Sequence, residues 1–396
     1  MLMSIAFILL LGLLLGSLFQ KLKLPSLLGM IIVGIVLSPY ALNLIDESIL
    51  TISADLRQIA LVIILTRAGL SLNLSDLRKV GRPAILMCFV PACVEIGGTV
   101  ILAPILFGIT HLEAAIMGSV IAAVSPAVIV PRMIRLMNEG YGTDKGIPEL
   151  ILAGASVDDV FVIVIFTVFM SLASTGTISV ISFLQIPVSI VLGIITGIIT
   201  GTLLIKFFKR FHMRDSVKIL IILSLSFLLI ELQNRLEGII PISGLLAIMS
   251  MGIVINQRYH VLAQRLSAKY NKLWIAAEVF LFVLVGATVD LQYAVASGIC
   301  AVLLVLGALV FRMTGVALCL MKTNLNRKER FFCMLAYVPK ATVQAAIGAL
   351  PLSMGLECGQ IVLTVAVLSI LITAPLGAIC VDNLYKKLLK KSEALS

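Results

Sequence analysis

Asp158 and Asp159 stand side by side inside an apolar stretch, Ile147-Pro-Glu-Leu-Ile-Leu-Ala-Gly-Ala-Ser-Val-Asp-Asp-Val-Phe-Val-Ile-Val-Ile-Phe-Thr-Val-Phe169. A single ionisable group at mid-bilayer costs about 2.5–3.5 kcal/mol, so two adjacent carboxylates there point to a cation site, a proton relay, or both. A dehydrated monovalent cation takes oxygen ligands, and a proton competes for the same carboxylate. Ser125, in the stretch Gly118-Ser-Val-Ile-Ala-Ala-Val-Ser-Pro-Ala-Val-Ile-Val-Pro131, can add a hydroxyl. Lys340, in Tyr337-Val-Pro-Lys-Ala-Thr-Val-Gln-Ala-Ala-Ile-Gly348, is a cation deep in another stretch and needs a carboxylate to stay charged. Adjacent helical residues point about 100° apart, so one aspartate can meet Lys340 while its neighbour faces a cavity. A fixed Asp–Lys brace alone leaves the second aspartate unexplained.

Other polar groups surround this set. Pro126 and Pro339 each remove a backbone donor within the bilayer and free carbonyls, and freed backbone groups persist there only when buried in protein or lining a wet cavity. Both stretches are therefore expected to be broken helices. Gly154, Ala155 and Ser156 are small enough to let a broken helix come close to the aspartates. Glu95 and Arg312 are expected to form a structural ion pair. Arg67, Gln344 and Thr342 are candidate cavity-lining residues, Glu278 is either a minor helper or a span-end residue facing water, and Gly193, Gly197 and Gly201 form a helix-packing face. The seven cysteines lack metal-ligand spacing and the three histidines are scattered, so neither a disulfide framework nor a resident metal is expected.

The elements that must position these groups are membrane spans. Of 396 residues, 60% are apolar and 13% charged, which excludes a soluble core protein. Thirteen apolar stretches are long enough to cross, near 2–19, 24–42, 55–74, 83–108, 112–134, 147–172, 183–205, 216–233, 239–256, 271–288, 295–320, 330–353 and 358–381. Met1 to Leu18 has no basic leader and reads as the first span, not a signal peptide. Arg57 and Arg235 fall near one side and Arg67, Arg312 and Lys340 inside spans. All other Lys and Arg, from Lys21 to Lys391, lie in loops after odd-numbered stretches or in the tail. That asymmetry predicts a cytoplasmic C-terminus and an N-terminus outside. The net charge of +10 is thus mostly topology, and no nucleic-acid partner is expected.

The chain also repeats itself. Leu24-Pro25-Ser26 with Gly34-Ile35-Val36 echoes Ile240-Pro241-Ile242 with Gly252-Ile253-Val254; Gly69-Leu-Ser-Leu-Asn-Leu74 echoes Gly286-Ala-Thr-Val-Asp-Leu291; Glu95 matches Arg312. The offsets run from 216 to 218 residues. A shift of seven spans reverses direction across the membrane, so spans 1–6 and 8–13 are inverted repeats joined by span 7, an arrangement suited to a midplane site and alternating access. The expectation is an all-α polytopic protein with residues 1–381 as one membrane domain and 382–396 as a short cytoplasmic tail.

Val157-Asp158-Asp159 resembles the paired aspartates of the electrogenic branch of the monovalent cation:proton antiporter superfamily. Ser125 to Pro131, Pro339 to Ala346 and Leu65-Thr-Arg-Ala-Gly-Leu70 look most like its NHA subfamily of sodium/proton antiporters. The resemblance implies a homodimer with a dimerisation part (about 1–42 and 216–256) and a core (about 55–172 and 271–381), in which two broken helices cross beside the ion site and the core moves like an elevator. It implies Asp159 as the main cation and proton carrier, Asp158 assisting or meeting Lys340, and Ser125 as an oxygen ligand, with Na⁺ held at these three. The expected function is exchange of Na⁺ or Li⁺ for H⁺ across a plasma membrane, serving pH homeostasis, with no enzyme chemistry and no cofactor. The aspartate pair points to electrogenic exchange; the NHA motifs leave electroneutral exchange open. Alternatives are a K⁺/H⁺ antiporter, a sodium-coupled organic-anion symporter of similar fold, and, from a third class, a cation channel.

Overall fold

The computed structural model describes residues 1–72, 81–175, 180–236 and 240–392; the side chains of 156, 160, 174, 175 and 180–187 are outside that description. Arg78, Lys79, Asn73, Leu74, the Ser156 side chain and the last four tail residues, all part of the sequence reading, lie outside the described residues.

Every regular element among the described residues is helical. In order they are α1 (Leu2–Lys21), α2 (Ser26–Leu37), α3 (Glu47–Thr51), α4 (Ser53–Ser71), α5 (Arg82–Met87), α6 (Val90–Phe107), α7 (His111–Ile121), α8 (Pro126–Glu139), α9 (Ile147–Thr175), α10 (Val180–Arg210), α11 (Asp215–Leu236), α12 (Gly244–Arg258), α13 (His260–Ala287), α14 (Leu291–Cys319), α15 (Arg327–Ala336), α16 (Thr342–Ile347), α17 (Leu350–Ser353) and α18 (Gly359–Leu388). Apolar sequence in a bilayer leaves the backbone no partner but itself, which makes helices the default. Eight helical segments among the described residues are long and apolar enough to cross, from Leu2–Lys21 to Gly359–Leu388. In the other five stretches the helices α2, α4, α11, α12 and α15 to α17 are shorter, more polar or interrupted.

The chain divides into two compact units. One contains 1–54, 75–163 and 279–396; the other contains 55–74 and 164–278. Within the first, α6 packs along α14, and α18 packs on α7, α8, α14, α15 and α16. Its buried core includes Met87, Val124, Ile129, Ile151, Ala155 and Tyr337. Within the second, α10 lies along α12. There a Cβ on Gly193, Gly197 or Gly201 would run into the Ser243, Ala247 or Met251 carbonyl, so the glycine face is a packing face.

The internal repeat has a structural counterpart in each unit. In the first, Gly34 of α2 abuts the Val283 carbonyl, and Gly286 of α13 abuts the Ile31 carbonyl, so two backbones touch. In the second, the repeat-related Gly252 of α12 meets Gly69 of α4, with a Cβ on Gly252 only 3.0 Å from the Gly69 Cα. Each contact pairs a helix from one half with a helix from the other. The first segments of the two broken helices also open alike. Thr110 and Glu113 form a reciprocal capping box on α7, and Asn326 and Glu329 form one on α15, 216 residues later.

Candidate functional site

The first break lies between α7 and α8, and the second between α15 and α16. Pro126 cannot donate to the Ala122 carbonyl, which ends α7 and leaves Ser125 in extended conformation at the cap of α8. The two breaks touch directly: the Ser125 amide donates to the Pro339 carbonyl at 2.8 Å. The crossing therefore consumes one orphan donor and one orphan acceptor, as buried backbone requires.

The remaining orphans of the first break are taken by charged and amide side chains. The Ile121 carbonyl accepts from the Lys340 ammonium and from Gln344 Nε2, the latter at 3.3 Å. The Ala122 carbonyl accepts from Arg312 Nη1, and the Ala123 carbonyl from Gln344 Nε2 at 2.8 Å. These carbonyls form the negative end of α7, where cations are favoured. At the positive start of α8, the Val124 amide donates to Asp158 Oδ2 at 2.8 Å. In the second break the Tyr337 carbonyl accepts from Arg312 Nε at 2.9 Å, and the Lys340 amide donates to Thr373 Oγ1 of α18 at 3.0 Å.

Four buried charges close this network. Glu95 of α6 holds Lys340 Nζ at 2.6 Å and Arg312 Nη1 at 3.0 Å. Arg312 Nη2 reaches Asp158 Oδ2 at 2.7 Å. All four side chains are at most 1% exposed. Breaking such a set by removing one member strands the others, which is where the cost of buried ion pairs lies.

Set against the sequence reading, this changes the partner of Lys340. Its carboxylate is Glu95, not either aspartate; Asp158 is met by Arg312. The sequence misses this because Glu95 lies on another helix and faces both cations at once. Two carboxylates, Glu95 and Asp158, balance two cations, Arg312 and Lys340. Asp159 is left over. It is partly exposed, and its Oδ1 is buried without a hydrogen bond. Other unpartnered buried oxygens among the described residues include Asp158 Oδ1, Ser125 Oγ and Thr342 Oγ1. Ser125 and Thr342 open the second halves of the two broken helices, 217 residues apart in the chain, so the repeat sets two bare hydroxyls at matching places. Unused oxygens are what a dehydrated cation or a proton requires.

Of the other sequence candidates, Gln344 ties down the first break through its amide, and its Oε1 is unpartnered. Arg67 belongs to the second unit, where its guanidinium lies over the Trp274 ring at 5.5 Å. Thr373, Tyr337 and the backbone of residues 121–124 were not legible as site groups. Thr373 is a lone hydroxyl in an apolar helix, and backbone atoms leave no mark in a sequence.

Crossed broken helices around buried ion pairs define a membrane transporter of the inverted-repeat class, and comparison with known proteins narrows the class. Residues 5–387 match the family model described as "Sodium/hydrogen exchanger, transmembrane". The chain is 33% identical over 401 residues to mouse sodium/hydrogen exchanger 9B2, covering 96% of this chain and 72% of that one. It is 31% identical over 392 residues to human sodium/hydrogen exchanger 9B1, covering 93% and 73%. The structure of the sodium proton antiporter MjNhaP1 from Methanocaldococcus jannaschii at pH 8 superposes with a TM-score of 0.85 over 97% of each chain, at 20% identity, a likeness of fold. This chain belongs to the sodium/hydrogen exchanger family.

Proposed function

We propose that this protein is a secondary active antiporter that exchanges Na⁺ or Li⁺ for H⁺ one for one, with Asp159 as the carrier carboxylate. The observation that carries the reading is the charge balance of the buried cluster. Asp158, Glu95, Arg312 and Lys340 are mutually paired and leave Asp159 as the carboxylate without a counter-charge. A single exchangeable carboxylate binds either one proton or one monovalent cation, so each half-cycle carries one charge. Ser125 and Thr342 supply neutral oxygens, and Asp158 contributes its free Oδ1 while Arg312 holds its other oxygen. Lys340 serves the first break and Glu95, as a fixed cation. The names of the 9B2 and MjNhaP1 relatives, a sodium/hydrogen exchanger and a sodium proton antiporter, agree with the ion pair chosen.

The wider reading is a thirteen-span homodimer in a plasma membrane, N-terminus outside and C-terminus in the cytoplasm. A core around 55–172 and 271–381 alternates access against a dimerisation part around 1–42 and 216–256. No covalent chemistry and no cofactor enter the cycle. The test is reconstitution in proteoliposomes with an internal pH dye and addition of Na⁺, Li⁺ or K⁺ in turn. Proton movement on adding Na⁺ or Li⁺, lost in Asp159→Asn, is the expected outcome. Movement with K⁺ alone would assign a potassium antiporter, and absence of any cation-driven proton movement would overturn the antiporter reading.

A further inference from the structure

The end of α18 grips the far end of the first broken helix. Asp382 uses both carboxylate oxygens: Oδ2 accepts from Arg132 Nε at 3.2 Å and Nη2 at 3.0 Å, and Oδ1 accepts from Arg135 Nη2 at 2.7 Å. One turn on, the Tyr385 hydroxyl donates to Glu139 Oε2 at 2.7 Å, and the Arg135 guanidinium lies over the Tyr385 ring at 5.4 Å. The chain beyond α18 then returns along the loop after α8. Gly142 donates to the Lys390 carbonyl at 2.8 Å and Ser392 to the Gly140 carbonyl at 2.7 Å. That loop is tied in turn to the second broken helix, because Lys145 Nζ meets both oxygens of Glu329, at 2.8 and 3.0 Å.

The same helix touches the site. Thr373 accepts from the Lys340 amide, and Gly377 is packed so closely on the Pro339 ring that a side chain there would collide. Five residues, about 7.5 Å of helix at about 1.5 Å per residue, separate Gly377 from Asp382. On α8, Arg132 lies seven residues, about 10 Å, beyond Ser125. Asp382 thus fixes the register of α8 against α18, while α18 is itself fixed to the second break. Sliding or rotating α8 would move the Val124 amide off Asp158 and Ser125 off the crossing.

We propose that Asp382 is a positioning residue for ion binding. By holding Arg132 and Arg135 it sets where the start of α8 presents Val124 and Ser125 to the aspartate pair. The proposal rests on the exchange reading above. In the orientation proposed there, the clamp lies at the cytoplasmic end.

The experiment is the apparent KM for Na⁺ in proteoliposomes. Asp382→Asn is expected to raise KM about tenfold with maximal rate changed less than about twofold, Asp382→Glu to restore most of it, and Tyr385→Phe to raise it about twofold. Neutralising Asp382 also leaves Arg132 without its carboxylate and Arg135 with Glu139 alone, at 3.8 Å, and the added net positive charge repels cations. The measurement is therefore repeated at high choline chloride, where exposed charges are screened within about 3 Å at 1 M. A KM defect that persists there is the expected result. A wild-type KM in Asp382→Asn, a defect abolished by salt, or a loss of rate at unchanged KM would each overturn the positioning role. A wild-type protein that moves no protons on Na⁺ addition would instead overturn the exchange reading. Should Asp382→Asn not fold, Tyr385→Phe carries the test: an unchanged KM there would overturn the proposal.

Discussion

Residues 121–125 and 337–341 are the breaks of two helices that open with the same capping box in opposite halves of the chain, yet they carry different chemistry. The first break brings its own backbone and almost no side chains: three carbonyls, two amides and the Ser125 hydroxyl. Its orphans are filled from elsewhere, by Lys340, Arg312, Gln344 and Asp158. The second break, with Gln344 one turn beyond it, brings side chains. It sends Lys340 and Gln344 across to the first and takes Arg312, Thr373 and Ser125 on its own backbone. One break presents partial charges and the other presents a whole one. An inverted repeat can thus keep its architecture while dividing labour between halves, so that fixed cations are spent on carbonyls, not on the exchanging carboxylate.

That comparison can be broken at graded cost. Asp159→Asn removes the site carboxylate that the balanced set leaves over and should abolish cation-driven proton movement while leaving the melting temperature near wild type; retained exchange would move the carrier role to Asp158. Arg312→Ala leaves Asp158 without its cation, Glu95 with Lys340 alone, and two carbonyls bare, one from each break. It should destabilise by about 3–5 kcal/mol, read as lost monodisperse protein or a lowered melting temperature. A charge-swapped Glu95→Arg/Arg312→Glu variant should recover none of that loss, because Lys340 would then face an arginine and Asp158 a glutamate. Recovery would show an isolated pair and contradict the shared network. Gln344→Ala uncaps the Ala123 carbonyl and leaves the Ile121 carbonyl to Lys340 alone, and should cost about 1–3 kcal/mol in thermal unfolding. Thr373→Val leaves a single amide of the second break unpaired and should cost least, about 1 kcal/mol. Equal losses in these last two would erase the asymmetry between the breaks.

Much of the architecture is legible in the sequence. Apolar length marks the helices, Pro126 and Pro339 mark the breaks, and the spacing from Gly34 to Gly252 and from Gly69 to Gly286 marks the repeat. Asp158, Asp159, Glu95, Arg312 and Lys340 announce themselves as charges inside spans. Their pairing does not follow. A helix that is apolar all round gives no rotational reference, so nothing in the sequence tells which carboxylate Lys340 meets, and adjacency in the chain favours the wrong one. Glu95 serves two cations, and no pairwise offset expresses that. The carbonyls of Ile121, Ala122 and Ala123, which decide where the cations sit, belong to three ordinary apolar residues.

The account stands on Asp159 being the carboxylate that the buried Glu95–Arg312–Lys340–Asp158 set leaves without an ion-pair partner at the site, and stoichiometry reads that directly. In proteoliposomes, Na⁺-driven proton movement is measured with and without a potassium/valinomycin clamp of the membrane potential. One-for-one exchange predicts the same initial rate in both conditions and no potential generated by Na⁺ addition. A rate that rises under the clamp, with a Na⁺-induced potential, would mean that a second proton is carried, and that the Arg312-bound Asp158 is not held out of the exchange.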